Sequence, residues 1–523
     1  MAFIGKNIIE NLTTAMYENL LIIYREYIQN SADSIDKAIK MGIIDKNTAE
    51  IYVDIDLNKR NISIMDNGIG IVSADFKRIM SSIADSTKDS AENKGFRGIG
   101  RLGGISTCRE LRFSCSAIGE CVQSVVIWDA QKVREILVDD TQTPDAATLV
   151  DSVTTYETLP CDKEEHFFKV ELIDIEQSSS ELLDEAEVKH YLRSVAPLPY
   201  LNSFIFSTKI HDFAKEKGFI IDEYNVFVNG DRLFKEYRTR LYEDKNGKKS
   251  VYDEISDVKF EMFYSSNGEV LGWMWYGISR FEKQIPVINE MRGIRLRKGN
   301  IQIGNEQTFF EHNFYKEPRG YLYFIGEVFA EHNELRPNAR RDYFNLNDCC
   351  REFEHSLENL FYSRFYSIYH LANQYKKAYQ KKQELAKVQQ EYKEKEQGGF
   401  YSAEDKKSLE EKIEKLTTDV AKSDKTIETR DKKEAEDDVL SRVYEEIQKI
   451  YDVPKQSESV LNEKSANSKN LYKNRIKYKS QNLTQYSKKE QKLIGKIYEI
   501  IKAILPHDMA DIVVNKIQEE LSK

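Results

Sequence analysis

Glu26-Tyr27-Ile28-Gln29-Asn30-Ser31-Ala32-Asp33 is the stretch on which the reading of this chain turns. It lies in a segment, residues 8–41, where Leu20, Ile23, Tyr24, Tyr27, Ile28 and Ile35 recur at three- and four-residue steps. That is the period of a helix with one apolar stripe. On such a helix Glu26, Asn30 and Asp33 share a face. A carboxylate there can orient or deprotonate a water. An amide oxygen can ligate Mg2+, a hard cation that carries phosphates with it. Taken alone, the same residues also read as a solvated polar face.

Asp66-Asn67-Gly68-Ile69-Gly70 follows two alternating stretches, 51–55 and 61–65, that read as strands. Its glycines permit a sharp turn and close approach of a ligand to the backbone. An Asp at a strand end can accept a hydrogen bond from an exocyclic amine such as adenine's; an ordinary turn is the alternative. Next comes Gly95-Phe96-Arg97-Gly98-Ile99-Gly100-Arg101-Leu102-Gly103-Gly104. A loop so rich in glycine leaves backbone N–H groups to cradle phosphate. No strand directly precedes it and its spacing is not G-x-G-x-x-G, which argues against a dinucleotide fingerprint. No G-x-x-x-x-G-K-[ST] occurs, so the chain is not a P-loop protein.

In this order and spacing the three motifs resemble those of the GHKL ATPase superfamily, which includes gyrase-type topoisomerases, MutL, HtpG-type chaperones, MORC proteins and sensor kinases. Residues 25–37 look like the chaperone form of the first motif, and Gly95-Phe96-Arg97-Gly98 like the MutL form of the lid. The resemblance covers about residues 15–175. It implies a Bergerat-type ATP-binding α/β sandwich that uses ATP and Mg2+. By the same resemblance Glu26 is the general base, Asn30 the Mg2+ ligand and Asp66 the adenine anchor. Gly68 and Gly70 shape the base pocket, and Gly95, Gly98 and Gly100 meet the phosphates. Asp33, Lys37, Arg97 and Ile99 belong to the same nucleotide site, and Ser86 and Thr87 to a Ser/Thr-rich lid. One element departs from the family: where a Gly-Thr often precedes the last strand, this chain reads His166-Phe167-Phe168-Lys169-Val170-Glu171-Leu172. Another residue or a water must take the place of that Thr.

The fold class expected is α+β: an ATP-binding domain over 1–199, a transducer-like domain over 200–350, then helices. Strands are expected at 109–117, 122–128, 167–175, 258–264, 270–279, 294–303 and 321–329. Tyr224 to Asp231 reads as a strand entering an Asn-Gly hairpin turn. Glu334-Leu335-Arg336-Pro337-Asn338-Ala339-Arg340-Arg341-Asp342 resembles the chaperone segment that sends an Arg to the γ-phosphate. Arg341 is the first candidate, with Arg340 beside it and Lys298 a weaker one. A cation there would stabilise the transferring phosphoryl group; a surface turn that binds Asp342 is the alternative.

From residue 351 to 450 apolar residues at helical spacing, broken at Gln397-Gly398-Gly399, suggest an antiparallel helical hairpin or coiled coil. Residues 451–486 read as a polar basic linker and 487–523 as a helical segment interrupted at Pro506. The basic stretch 464–496, interleaved with Tyr472, Tyr478 and Tyr486, suits contact with DNA or another nucleic acid. A formal charge of −10 argues against such affinity for the whole protein. Six scattered cysteines without CxxC or zinc spacing suggest reduced thiols. Without a signal-like start or an apolar run of about 20 residues, a soluble, cytoplasmic protein with no membrane contact is expected. The resemblance implies an ATP-hydrolysing conformational clamp, working as a homodimer on a protein or nucleic-acid client. A nucleotide-switched scaffold without turnover is the other reading.

Overall fold

The computed structural model describes Lys6 and residues 19–82, 100–139, 141–434, 438–451 and 478–523. Ser86, Thr87, Gly95, Arg97, Gly98 and Ile99 lie outside the described residues, as do residues 464–477 of the basic stretch. The chain is α+β and divides into two units, Met1–Tyr366 and Ser367–Lys523.

In the first unit, helix α1 (Ile22–Lys40) starts after a turn in which Asn19 Oδ1 accepts from the Leu21 N–H at 2.9 Å. This helix begins at Ile22, and residues 7–18 of the expected segment lie outside the described residues. Its apolar stripe, Ile23, Tyr24, Tyr27, Ile28, Ala32 and Ile35, packs on an eight-stranded sheet. Each fully buried Ile contributes roughly 1.5–3 kcal/mol. The strands are β1 (Glu50–Asp56), β2 (Asn61–Asp66), β3 (Cys108–Ser116), β4 (Val122–Asp129), β5 (Thr154–Pro160), β6 (Phe167–Ile175), β7 (Asn225–Val228) and β8 (Asp231–Arg232). Their order is β5-β4-β3-β6-β2-β1-β7-β8. Alternation puts Ile62 and Ile64 of β2 in the core, and Asp66 continues that inward row.

Two features of this sheet differ from the expected organisation. Strand β5 was not legible, because its residues are mostly exposed and polar. Strand β7 lies parallel to β1, with Val53 opposite Val228, so the first sheet runs through the expected boundary at residue 199. The Asn229-Gly230 turn after it has positive φ at both residues, 48° and 83°, as a two-residue hairpin demands.

A second sheet of five strands has the order β11-β12-β15-β13-β14: β11 (Asp257–Tyr264), β12 (Val270–Ile278), β13 (Gly293–Lys298), β14 (Ile301–Ile303) and β15 (Ile325–Ala330). The single strand expected over 294–303 is a hairpin that turns at Gly299 and Asn300, both with positive φ. A separate ribbon, β9 (Arg240–Lys245) with β10 (Lys248–Glu254), turns at Asn246-Gly247. The second core is aromatic: Trp273 stacks on Phe329 with ring centroids 4.4 Å apart, and Phe213 on Phe260 at 4.2 Å.

The second unit is helical. Most of α2 (Tyr366–Gly398) runs antiparallel to α3 (Ala403–Glu434). Leu385 and Val388 meet Leu409 and Leu416, and ion pairs Lys412–Glu384 and Lys382–Asp424 cross the seam. Gly399 sits at φ 96° in the break, where a side chain is disfavoured. Helices at Asp438–Tyr451, Lys488–Ile504 and His507–Ser522 also belong to the described part of the unit. Among the described residues no helix is long and apolar enough to cross a membrane.

A buried ionic cluster ties the second sheet together. Glu327 on β15 accepts from Arg297 Nε at 2.7 Å, Tyr200 OH at 2.5 Å and Lys235 Nζ at 3.1 Å, and all three charged side chains are fully buried. Burial pushes the Glu327 carboxyl up, but Lys235 and Arg297 outweigh it and hold it at about 2. Glu327→Ala, which leaves two buried cations without their carboxylate, is expected to destabilise the first unit by about 3–5 kcal/mol in urea unfolding. The folded carboxyl titrates below its unfolded value of about 4.3. Its stabilisation is therefore present above that pH and lost as pH falls toward 2. The urea midpoint of the wild type should drop more steeply in that window than that of Glu327→Gln.

Candidate functional site

The face of α1 that carries Glu26 and Asp33 is buried, not solvated: Glu26 is 7% exposed and Asp33 3%. Asn30 is half-buried and Lys37 is exposed. Gly100 opens a short 3-10 turn, Gly100–Ser106, that lies against this face. A Cβ on Gly100 would stand 2.3 Å from Glu26 Oε2, so a larger residue there would push the carboxylate aside. Tyr27 OH accepts from the Gly104 N–H at 3.2 Å and donates to the Arg101 carbonyl at 3.0 Å. The described end of the glycine-rich loop is thereby stitched to α1. Burial pulls the Arg101 guanidinium down to about 10, and it donates to the Ser82 carbonyl.

The turn after β2 meets α1 one helical turn beyond Asn30. A Cβ on Gly68 would lie 2.1 Å from Ser34 Oγ and 2.7 Å from the Ser34 carbonyl carbon. The Ile69 N–H reaches the Ser34 carbonyl at 3.3 Å. Asp66 is fully buried, and its Oδ1 accepts from the Gly68 N–H at 2.9 Å. Gly70 has φ 67°, and a Cβ there would lie 2.1 Å from the Ser116 carbonyl oxygen. The Asn67 side chain anchors the turn, accepting from the Glu50 N–H at 2.9 Å and donating to the Thr48 carbonyl at 2.7 Å.

His166, at the point where the sequence departs from its family, has Nδ1 2.8 Å from the Gly68 carbonyl. In the sequence it stands where the family often places its Gly-Thr, a position that marks the strand but not this contact. Ser34, the residue of α1 that meets the turn, stands four residues after Asn30, so helical spacing marks it on the same face.

Arg341 arrives from the other sheet's side of the same unit. Its Nε lies 2.7 Å from Glu26 Oε1, an ion pair without hydrogen-bond alignment at that oxygen, and Arg25 stands 3.7 Å from the same atom. Arg341 sits at φ 56°, a left-handed conformation that an arginine adopts at a cost. The Gly304 N–H holds its carbonyl at 2.9 Å. A cavity of about 400 Å3 flanks the pair, lined in part by Arg25, His190, Arg295, Arg340 and Arg341. Lys298 is held elsewhere: Nζ donates to the carbonyls of Glu331 and His332 at 3.1 and 2.9 Å, and burial pulls it down to about 8.

The arrangement joins a buried carboxylate, a clasped glycine turn, and a second carboxylate held between a glycine loop and an arginine. At Gly68 and Gly70 any Cβ would clash with Ser34 and Ser116, so these glycines press the Asp66 turn against α1 and β3. Asn30, half-buried one turn beyond Glu26, fits a hard cation.

Residues 19–158 match the family model for histidine kinase-, DNA gyrase B- and HSP90-like ATPases. Over 377 residues the chain is 21% identical to the chaperone protein HtpG of Wigglesworthia glossinidia brevipalpis, covering 66% of this chain and 53% of that protein. It is 29% identical over 107 residues to HtpG of Clostridium acetobutylicum, covering 19% and 17% of the two chains. It is 36% identical over 87 residues to HtpG of Buchnera aphidicola, covering 16% and 14%. The chain thus spans about half the length of the first of these relatives and less of the others. With the fold around α1 and the Asp66 turn, these matches support a GHKL-type ATPase domain over residues 19–158.

Proposed function

We propose that this protein hydrolyses ATP to ADP and phosphate and uses the accompanying closure to remodel a client. The observation that carries the proposal is Glu26, a buried carboxylate set against Gly100 on one side and Arg341 on the other. In this reading Asp66 accepts a hydrogen bond from the adenine amine, and Gly68 and Gly70 shape the turn that holds it in place. Asp33 walls the site, Lys37 lies at its exposed edge, and backbone N–H groups near Gly100 face phosphate. Ser86, Thr87, Gly95, Arg97, Gly98 and Ile99 would complete the lid and lie outside the described residues. Mg2+, when bound, neutralises phosphate charge, and Asn30 is the residue that would hold it.

Glu26 takes the proton of the attacking water as the new P–O bond forms and the bond to the β–γ bridging oxygen breaks. For that, Arg341 must leave the carboxylate oxygen it covers. Its destination in the proposal is the γ-phosphate, where a guanidinium stabilises transferred charge. The release of Glu26 and the docking of Arg341 are then one movement.

The helical hairpin, acting as a coiled-coil lever, would transmit this movement in a homodimer. The relatives are named chaperones, which favours a protein client in the cytoplasm; nucleic acid contact through 464–496 is the alternative client. A second reading draws on the same ion pair: with Glu26 covered by Arg341, the nucleotide would act as a switch for a scaffold without turnover.

Glu26→Gln is expected to lower ATP hydrolysis by about 10²–10⁴-fold while retaining ATP binding in equilibrium dialysis. Asp66→Asn is expected to lose ATP binding itself. Arg341→Ala should cost about 10³-fold in turnover with binding preserved. A wild type that binds ATP yet shows no hydrolysis beyond Glu26→Gln would establish the scaffold reading instead. Comparing ATPase rates with DNA, RNA and unfolded protein assigns the client: stimulation by DNA that disappears on deleting residues 455–523 marks nucleic acid.

A further inference from the structure

We propose that His332, Glu334 and Cys349 form a zinc site. Their ligand atoms lie within 4.8 Å of one another. His332 Nδ1 and Cys349 Sγ already face each other at 3.1 Å. In tetrahedral zinc coordination a sulfur and a nitrogen ligand are about 3.6 Å apart. The pair therefore opens by a fraction of an ångström to admit the ion, and the exposed Glu334 side chain swings to complete three protein ligands. Water fills the fourth position.

The independent observation is on the far side of the imidazole. Glu269 Oε2 lies 3.6 Å from His332 Nε2. Nδ1 accepts from the Glu334 N–H, which puts the neutral ring's proton on Nε2, the side that faces Glu269, and leaves the Nδ1 lone pair for a metal. His332 thus stands between a carboxylate and a thiol, in the order of a carboxylate–histidine–zinc triad. The Glu334 N–H, which now reaches Nδ1 at a long 3.3 Å, exchanges that contact for solvent.

The surroundings suit a cation. Burial, then Glu334, Glu352 and Glu269, push the Cys349 thiol up to about 11, against Lys298, whose ammonium is held by the Glu331 and His332 carbonyls. Cys349 lies in the first turn of the helix Asp348–Asn359. On binding, the Sγ–H bond breaks, a zinc–sulfur bond forms and the proton leaves to water. The ion would clip the start of that helix to the segment leading into the Arg341 loop. Asn347 Nδ2 already makes a lighter link of this kind, donating to the Glu334 carbonyl at 2.9 Å. The inference does not depend on ATP hydrolysis.

The test is titration of the full-length protein with Co2+, read by absorption, and with Zn2+ against a chromophoric chelator. One equivalent of Co2+ should give a thiolate-to-metal charge-transfer band that is absent in Cys349→Ser and retained in Cys121→Ser, which removes an exposed thiol. Glu269→Gln, at a side chain 67% exposed and so harmless to folding, should weaken zinc binding by about 10–100-fold. No band in the wild type, a band that persists in Cys349→Ser, or unchanged zinc affinity in Glu269→Gln would overturn the site.

Discussion

The contact between Gly68 and Ser34 is the constraint from which the rest of the first unit follows. Helix α1 approaches the turn after β2 so closely that a methyl group would penetrate it. The helix can therefore sit at only one depth and one rotation on the sheet, and its apolar stripe seals that position against Ile51, Ile64 and Leu172. Asp66, an acid in an inward row of a strand, is tolerated because the same turn aims the Gly68 N–H at it. A buried carboxylate without such donors would be expensive.

Once α1 is so placed, Glu26 faces the glycine loop, and Gly100 repeats the device of Gly68: a missing side chain lets backbone meet a functional group. The partner on the other side is obtained differently. Arg341 is held in a left-handed conformation that costs on the order of 1–3 kcal/mol. The surrounding loop offsets it, through the Gly304 N–H on its carbonyl and the pairing of Pro337 with Phe344. Strain at a charged loop residue whose guanidinium reaches a buried carboxylate of another sheet is the kind of tension expected where a contact must later be broken.

The two sheets of this unit are joined by chain and by charge. Strand β8 ends the first sheet at Arg232, and three residues later Lys235 is fully buried against Glu327 of the second. Its backbone N–H meets the Pro199 carbonyl at 2.8 Å. Burial pulls its ammonium down to about 8, so the cluster stands on close geometry with Glu327. The position of Arg341 relative to Glu26 rests on this joint.

Much of this was legible in local pattern. Helical spacing put Glu26, Asn30 and Asp33 on one face, alternation marked β1 to β4 and β6, and an apolar period broken at Gly398-Gly399 announced the helical hairpin. The ribbon β9–β10 carried a readable Asn-Gly turn, but its flanks are dense in lysine and acid and show no alternation. What sequence alone determined was chemistry and local conformation, because these depend on neighbours a few residues away. That Arg341 lies on Glu26, that β7 joins β1 across the expected boundary, and that His166 touches Gly68 were decided by tertiary structure. Each pairs residues more than ninety positions apart, and such contacts depend on how sheets and helices close on one another, which no local period records.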